Sequence, residues 1–160
     1  MRAGVVLLAV ITAGCGGVAR NLEKVQDRKD VYYLGDSFEG YDLEHVDGAF
    51  FVYGTCDPGP ESGCAPPIQI QHFSFQPRMW AIAVGCTRAG RIRGVPAVHH
   101  DTLIALTRRA FVKIYATSDA QVRRAFMALR STDGTVLPQE PLPRAAPRVI
   151  KTVLQACSPR

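Results

Sequence analysis

The chain has 160 residues, of which 47% are hydrophobic and 21% charged, which suits one folded domain with its own core and excludes wholesale disorder. No apolar run reaches the roughly 18–20 residues that a membrane-spanning helix needs. The net charge of +5 hides two unlike halves, because residues 30–77 hold eight acids and no Lys or Arg, whereas residues 78–160 hold fourteen bases and four acids.

The amino terminus, MRAGVVLLAVITAGCGG, has the layout of a bacterial export signal, with Arg2 before a short apolar stretch and small residues after it. Thr12-Ala13-Gly14 followed by Cys15 resembles the lipobox of bacterial lipoproteins. The resemblance implies that residues 1–14 are a signal peptide and that Cys15 carries lipid, which anchors the protein at the extracytoplasmic face of the cell membrane. Two alternatives remain open: a secretory signal cut after Ala19, and a buried N-terminal strand with a structural cysteine.

The chain after Cys15 divides into a polar tether over residues 15–30 and a single extracytoplasmic domain over residues 31–160. In the domain, Ser118 or Asp119 caps a predicted helix, and a last helix starts with Pro147 in its first turn. Strand signals lie at 31–34, 49–55, 68–75, 91–98, 103–107 and 110–117, and residues 79–86 fit either a strand or a short helix. This order predicts an α+β fold with a mainly antiparallel sheet and two late helices.

Four cysteines remain once Cys15 is assigned to lipid, and an even number in an exported protein predicts two disulfides with three possible pairings. We expect Cys56–Cys64, which brackets a loop rich in turn formers, and Cys86–Cys157, which ties the C-terminal segment to the middle of the domain. Zinc is the competing use, but seven residues between Cys56 and Cys64 exceed the usual ligand spacing. No metal or other cofactor is predicted.

One motif suggests catalysis. Leu34-Gly35-Asp36-Ser37-Phe38 resembles the Gly-Asp-Ser block of GDSL-type esterases and lipases, which implies Ser37 as a nucleophile. In that family the base lies in an Asp-x-x-His near the chain end, whereas Asp42-Leu43-Glu44-His45 follows Ser37 almost at once. The alternative is a turn in which Asp36 and Ser37 bond local backbone amides. No catalytic residue is therefore assigned, and an ester hydrolase using Ser37 stays the alternative function.

Basic clusters in the second half suggest contacts with an anionic partner, either lipid headgroups or an envelope polymer. The alternative is that these arginines pair with the acidic first half or are simply solvated. Nucleic acid is not an expected partner outside the cytoplasm. The candidate contact residues are Arg88, Arg91, Arg93, Arg108 and Arg109.

The whole chain resembles the small envelope lipoproteins of GC-rich Gram-positive bacteria, a group with no activity to transfer. Tyr32-Tyr33-Leu34-Gly35, Tyr53-Gly54-Thr55-Cys56 and the terminal Cys157 carry the resemblance. It implies a lipid-anchored, non-enzymatic module that binds an envelope protein or an anionic envelope polymer.

Overall fold

A computed structural model describes residues 22–26, 28–55, 65–74, 90–99 and 102–155 of the chain. The described residues form ten strands and three helices. The helices are α1 (22–26), α2 (Asp119–Ala128) and α3 (Pro147–Gln155). The strands are β1 (Tyr32–Tyr33), β2 (Ser37–Phe38), β3 (Tyr41–Asp47), β4 (Phe50–Tyr53), β5 (Ile68–Ser74), β6 (Gly90–Ile92), β7 (Val95–His99), β8 (Leu103–Leu106), β9 (Ala110–Ala116) and β10 (Arg130–Ser131).

Eight strands form one sheet in the order β2-β3-β4-β5-β9-β8-β7-β6, and β1 pairs with β10 in a separate two-stranded ribbon. Every pairing is antiparallel. The longest ladder joins the acidic half of the chain to the basic half, since β5 pairs with β9 from Ile68 opposite Ala116 to Ser74 opposite Ala110. The predicted α+β fold with a mainly antiparallel sheet and two late helices is confirmed.

The single strand predicted over 91–98 is wrong, because this segment folds back on itself as the β6–β7 hairpin. Arg93 and Gly94 form its two-residue loop, and both have positive φ angles, 46° and 81°. That backbone matches the right-handed twist of paired strands. Pro96 lies within β7, between β6 and β8. Pairing with β8 begins only at Ala97, so the missing N–H of Pro96 costs no ladder bond.

The inner face of the sheet packs against α2 in the main core. Ser118 caps the helix, as predicted, and its hydroxyl accepts a bond from the Gln121 amide. Val122, Phe126 and Leu129, the residues at helical spacing, are fully buried. Inward positions on the strands alternate with outward ones, and they supply Val46, Phe51, Tyr53, Ile68, Ile70, Val95, Ala97, Ala105, Val112 and Ile114.

Arg93 crosses the core from the β6–β7 loop to the C-terminal end of α2. Its guanidinium donates to the main-chain oxygens of Phe126 and Leu129, at 3.2 and 2.7 Å. It also donates to the oxygens of Leu137 and Glu140 in the proline-rich connector that follows. The cation therefore satisfies helix-terminal carbonyls that have no intrahelical partner, and burial lowers the pKa of Arg93.

The β2–β3 hairpin, at the opposite edge of the sheet, also contacts α2. Glu39, in the β2–β3 loop, accepts bonds from Arg124 at 3.1 Å and from Gln121 at 3.2 Å. The Arg124 bond is the main reason that the pKa of Glu39 is lowered. A flat eight-stranded sheet would be about 34 Å wide, whereas α2 is only about 15 Å long. Because loops from both edges contact this one helix, the sheet must curl around it.

Two further elements complete the packing. α3 places Val149 and Ile150 against the outer side of β7 and β8, next to Val98 and Ile104, in a second and smaller core. Residues 22–26, within the stretch predicted as a tether, contribute Val25, which is 1% exposed and belongs to the main core. The described packing therefore begins before residue 31.

Arg93→Met should lower the free energy of unfolding by about 3–5 kcal/mol, because four main-chain carbonyls, two of them in buried hydrogen bonds, lose their donor. Arg91→Met is the matched control: Arg91 is exposed on β6, two residues away, and its replacement should change stability by less than about 0.5 kcal/mol. Denaturant unfolding of both variants checks this. Equal midpoints for the two would contradict the role assigned to Arg93.

Candidate binding surface

Ser37 lies on β2, exposed, directly opposite Asp42 of β3. His45 is three residues further along β3, about 10 Å at the usual rise of a strand. Its side chain is exposed, and within the described ranges no hydrogen bond joins Ser37 to a histidine. The Gly-Asp-Ser segment thus runs into a tight antiparallel hairpin, and the parallel α/β framework of the esterase resemblance does not occur among the described strands. Nucleophile and base are not brought together here.

His72, at the end of β5, connects the sheet to the β1 ribbon. Its Nδ1 donates to the Ala49 carbonyl at 2.7 Å, so Nε2 is unprotonated and accepts the Tyr32 amide at 2.9 Å. The ring stacks on Tyr32 and meets Phe51 edge-on, with centroids 6.0 and 5.9 Å away. Burial lowers the pKa of His72 to about 4, although the bond to Ala49 acts in the opposite direction.

An open hollow of about 260 Å³ lies beside His72, on the outer side of the sheet. Its lining comes from the β3–β4 hairpin and from β5: Asp47, Ala49, Phe50, Gln71, His72 and Phe73. Phe73 is 43% exposed, the most exposed aromatic side chain among the large hydrophobics of the described residues. A hollow lined by both a carboxylate and aromatic side chains offers apolar contact and charge to a protein side chain.

The hollow continues into what we call the outer sheet face. Its side chains point away from α2, and they are half-buried or exposed except for Phe111, which is 3% exposed and belongs to the smaller core. The Lys113 ammonium lies over the ring of Tyr115, 4.3 Å from its centroid. Cross-strand pairing sets three rows: Val52, Gln69 and Tyr115; Phe50, Gln71 and Lys113; Phe73 and Phe111. This mixture of aromatic, amide and few charged groups is typical of protein-binding surfaces.

The candidate anion-contact arginines occupy unlike positions. Arg88 lies outside the described residues. Arg91 is exposed on β6, whereas Arg93 is 8% exposed and bonded to backbone oxygens inside the protein. Arg108 and Arg109, in the β8–β9 turn, both face Asp30. Of the four candidates within the described residues, Arg91, Arg108 and Arg109 are exposed and could contact a partner.

Asp30 is a buried carboxylate that two arginines share. Arg108 contacts its Oδ2 at 3.3 Å and Arg109 at 3.7 Å, while the Asp30 side chain is only 2% exposed. The Tyr32 hydroxyl donates to the other oxygen at 3.3 Å. Burial, followed by the Asp30 charge, raises the pKa of Tyr32 well above its ordinary value. Arg124 similarly contacts Glu39, so these three ion pairs each join an acid of residues 30–39 to an arginine of the second half.

Cys15, Cys56, Cys64, Cys86 and Cys157 lie outside the described residues, so the lipid site and both disulfide pairings stay predictions. None of the helices within the described ranges combines the length and apolar character that crossing a membrane requires. Within those same ranges, no three His, Cys, Asp or Glu side chains are grouped so that they could hold a metal ion.

Comparisons with protein-family profiles, with curated proteins and with solved structures find no match for this chain. Its function has to be inferred from its own surfaces. The sequence alone does not identify the outer sheet face, because segment 68–75 has Ile68 and Ile70 on one face and Phe73 and Phe75 on the other. Strict alternation with Ile68 and Ile70 was the available signal, and it assigns Gln71 and Phe73 to the outside.

His72 predicts a specific loss of stability in mild acid. The unfolded chain binds this proton near pH 6.5 and the folded chain only near 4, so its contribution is complete above pH 6.5 and disappears between these values. The free energy of unfolding should fall by up to roughly 3 kcal/mol over that range. His72→Gln should flatten the decline, whereas His45→Gln, on the exposed side of β3, should keep it. Denaturant unfolding at several pH values measures both; an unchanged slope in His72→Gln would contradict the assignment.

Proposed function

We propose that this protein is a lipid-anchored, extracytoplasmic, non-enzymatic domain that holds a partner protein on its outer sheet face. The observation that carries the binding part is the continuous surface of Phe50, Val52, Gln71, Phe73 and Tyr115 beside an open hollow. Half-exposed aromatic and amide side chains on a rigid sheet supply contact area at low cost in conformational entropy.

The anchor part rests on the order of the amino-terminal segments and on Cys15. Lipid on one cysteine with a second acyl signal holds a soluble domain stably at a bilayer, whereas a single chain binds only marginally. The first described element, α1, begins at residue 22, seven residues after Cys15, so the domain lies close to the proposed anchor along the chain.

A protein partner is favoured over an anionic polymer because four arginines of the second half already contact groups of the protein itself. Arg93 is engaged inside the core, Arg124 contacts Glu39, and Arg108 and Arg109 share Asp30. A polymer that binds by charge alone would need many free cations along one face. The hydrolase alternative has no comparable support, because Ser37 has no histidine at hydrogen-bonding distance among the described residues.

Intact mass of the membrane-extracted protein tests the anchor. We expect a chain that begins at Cys15 and carries the added mass of a diacylglyceryl group. Alkylation without reductant should label no thiol if both predicted disulfides are formed. A chain that begins at residue 20, or an unmodified Cys15, would contradict lipid anchoring.

Site-specific photo-crosslinking in cells tests the binding face. A benzophenone amino acid at Phe73 should give a discrete adduct to another protein. The matched control is Leu137, which is also a large exposed hydrophobic residue, 55% exposed, but lies in the connector after β10. Gln71→Glu should reduce the adduct at position 73 by adding charge two residues away on the same face of β5. Equal adducts from positions 73 and 137, or none from position 73, would overturn this binding face.

A further inference from the structure

Within the described residues, a helix covers only part of the outer side of the sheet. Val149 and Ile150 of α3 share the smaller core with side chains of β7, β8 and β9, so α3 is centred over β8. This cover ends between β9 and β5, because Phe111 of β9 is 3% exposed whereas Phe73, its partner in the ladder, is 43% exposed. The outward side chains of β5 and β4 therefore lie beside α3, and none of the described helices lies above them.

The distance from α3 to β5 matches the spacing of two packed helices. In the sheet, β5 is two strands away from β8, which is about 10 Å at the usual strand spacing. Packed helices have their axes about 8–10 Å apart. A second helix centred over β5 would therefore contact both the sheet and the side of α3.

The surface under that position is mostly apolar or uncharged along its length. Outward positions alternate with the buried Ile68 and Ile70 on β5, and they continue onto β4 through cross-strand pairs. We call this surface the β4–β5 strip, and it consists of Phe50, Val52, Gln69, Gln71 and Phe73.

One charge lies on each side of the β4–β5 strip. The row that contains Phe50 and Gln71 ends in Asp47 on β3 and in Lys113 on β9, three strand spacings or about 14 Å apart. A helix with its side chains is about 10–12 Å wide, so it fits between these two residues. In the described part of the chain neither residue forms an ion pair, and Lys113 contacts the ring of Tyr115. The strip thus complements a helix that is apolar beneath, basic towards β3 and acidic towards β9.

We propose that the partner protein contributes one amphipathic α-helix, which lies on the β4–β5 strip beside α3 with its axis along β5. The inference rests on the partner-binding function proposed above and names the element that the outer sheet face receives. From Gln69 to Phe73 the strip is about 14 Å long, which corresponds to about nine residues of helix. The same sheet side already holds α3, a helix of 9 residues. Docking of a helix through apolar residues on one of its faces is a common mode of recognition.

Crosslinking from two positions of β5 tests whether the bound element is a helix. A benzophenone amino acid is placed at Gln69 or at Phe73 of the full-length protein in cells, and mass spectrometry identifies the partner residue joined to each. We expect these two partner residues to be about nine positions apart, because a helix advances about 1.5 Å per residue. An extended partner segment would give a separation of about four positions. That result would overturn the helix while the binding face stands.

Charge reversal tests the side of the helix that lies towards β3. Asp47→Lys should reduce the adduct at position 69 at least about threefold, because it places a like charge beside the basic side of the helix. Asp42→Lys is the matched control, since Asp42 is also exposed on β3 but lies outside the strip, and it should leave the adduct unchanged. Equal adducts in the two variants would contradict the proposed helix.

The same crosslinks identify other occupants of the strip. An adduct with the mass of two copies of this chain would show self-association and overturn a partner helix. An internal link from position 73 to residues 75–89 would overturn it as well, because this chain would then cover the strip itself. The absence of any adduct from both positions would overturn the partner-binding function, and the helix with it.

Discussion

The guanidinium of Arg93 inside the protein is the interaction on which the rest of the architecture depends. Buried cations are usually paired with carboxylates, but here four main-chain oxygens surround the charge. The negative end of the α2 dipole favours a cation at this place. A left-handed φ of 46° is unfavourable for arginine, and these bonds offset that cost. One side chain thus fixes an edge hairpin, the end of α2 and the proline-rich connector relative to one another.

Much of the fold follows from local patterns. The cap at Ser118 and the spacing of Val122, Phe126 and Leu129 predict α2 because both signals are short-range. The two edge hairpins could not be predicted in the same way, since their loops are Glu39-Gly40 and Arg93-Gly94 instead of the usual Asn-Gly or Asp-Gly. The first residues of these loops, Glu39 and Arg93, form hydrogen bonds with α2, which is distant along the chain. Local sequence patterns do not reveal such contacts.

The candidate surfaces show the same division. The charge blocks predict that acids of the first half meet arginines of the second, and Asp30 and Glu39 do so across 78 and 85 residues. The charge blocks do not predict which arginine pairs with which acid, because the pairing depends on how the elements pack. Arg91 and Arg93 are two positions apart and look alike in the sequence, but one is exposed and the other is buried.

The ladder between β5 and β9 has a consequence for how the chain is made. Synthesis runs from the amino terminus, so β2 to β5 exist before β9, whose last pair joins Ile68 to Ala116. Until then, the free side of β5 is an open edge that another unfinished copy could pair with. Residues 30–77 carry eight negative charges and no Lys or Arg, so two such nascent segments repel each other. Once residues 78–160 are synthesised, β9 pairs with the open edge of β5. The basic residues of this half also offset the negative charge that kept two nascent segments apart.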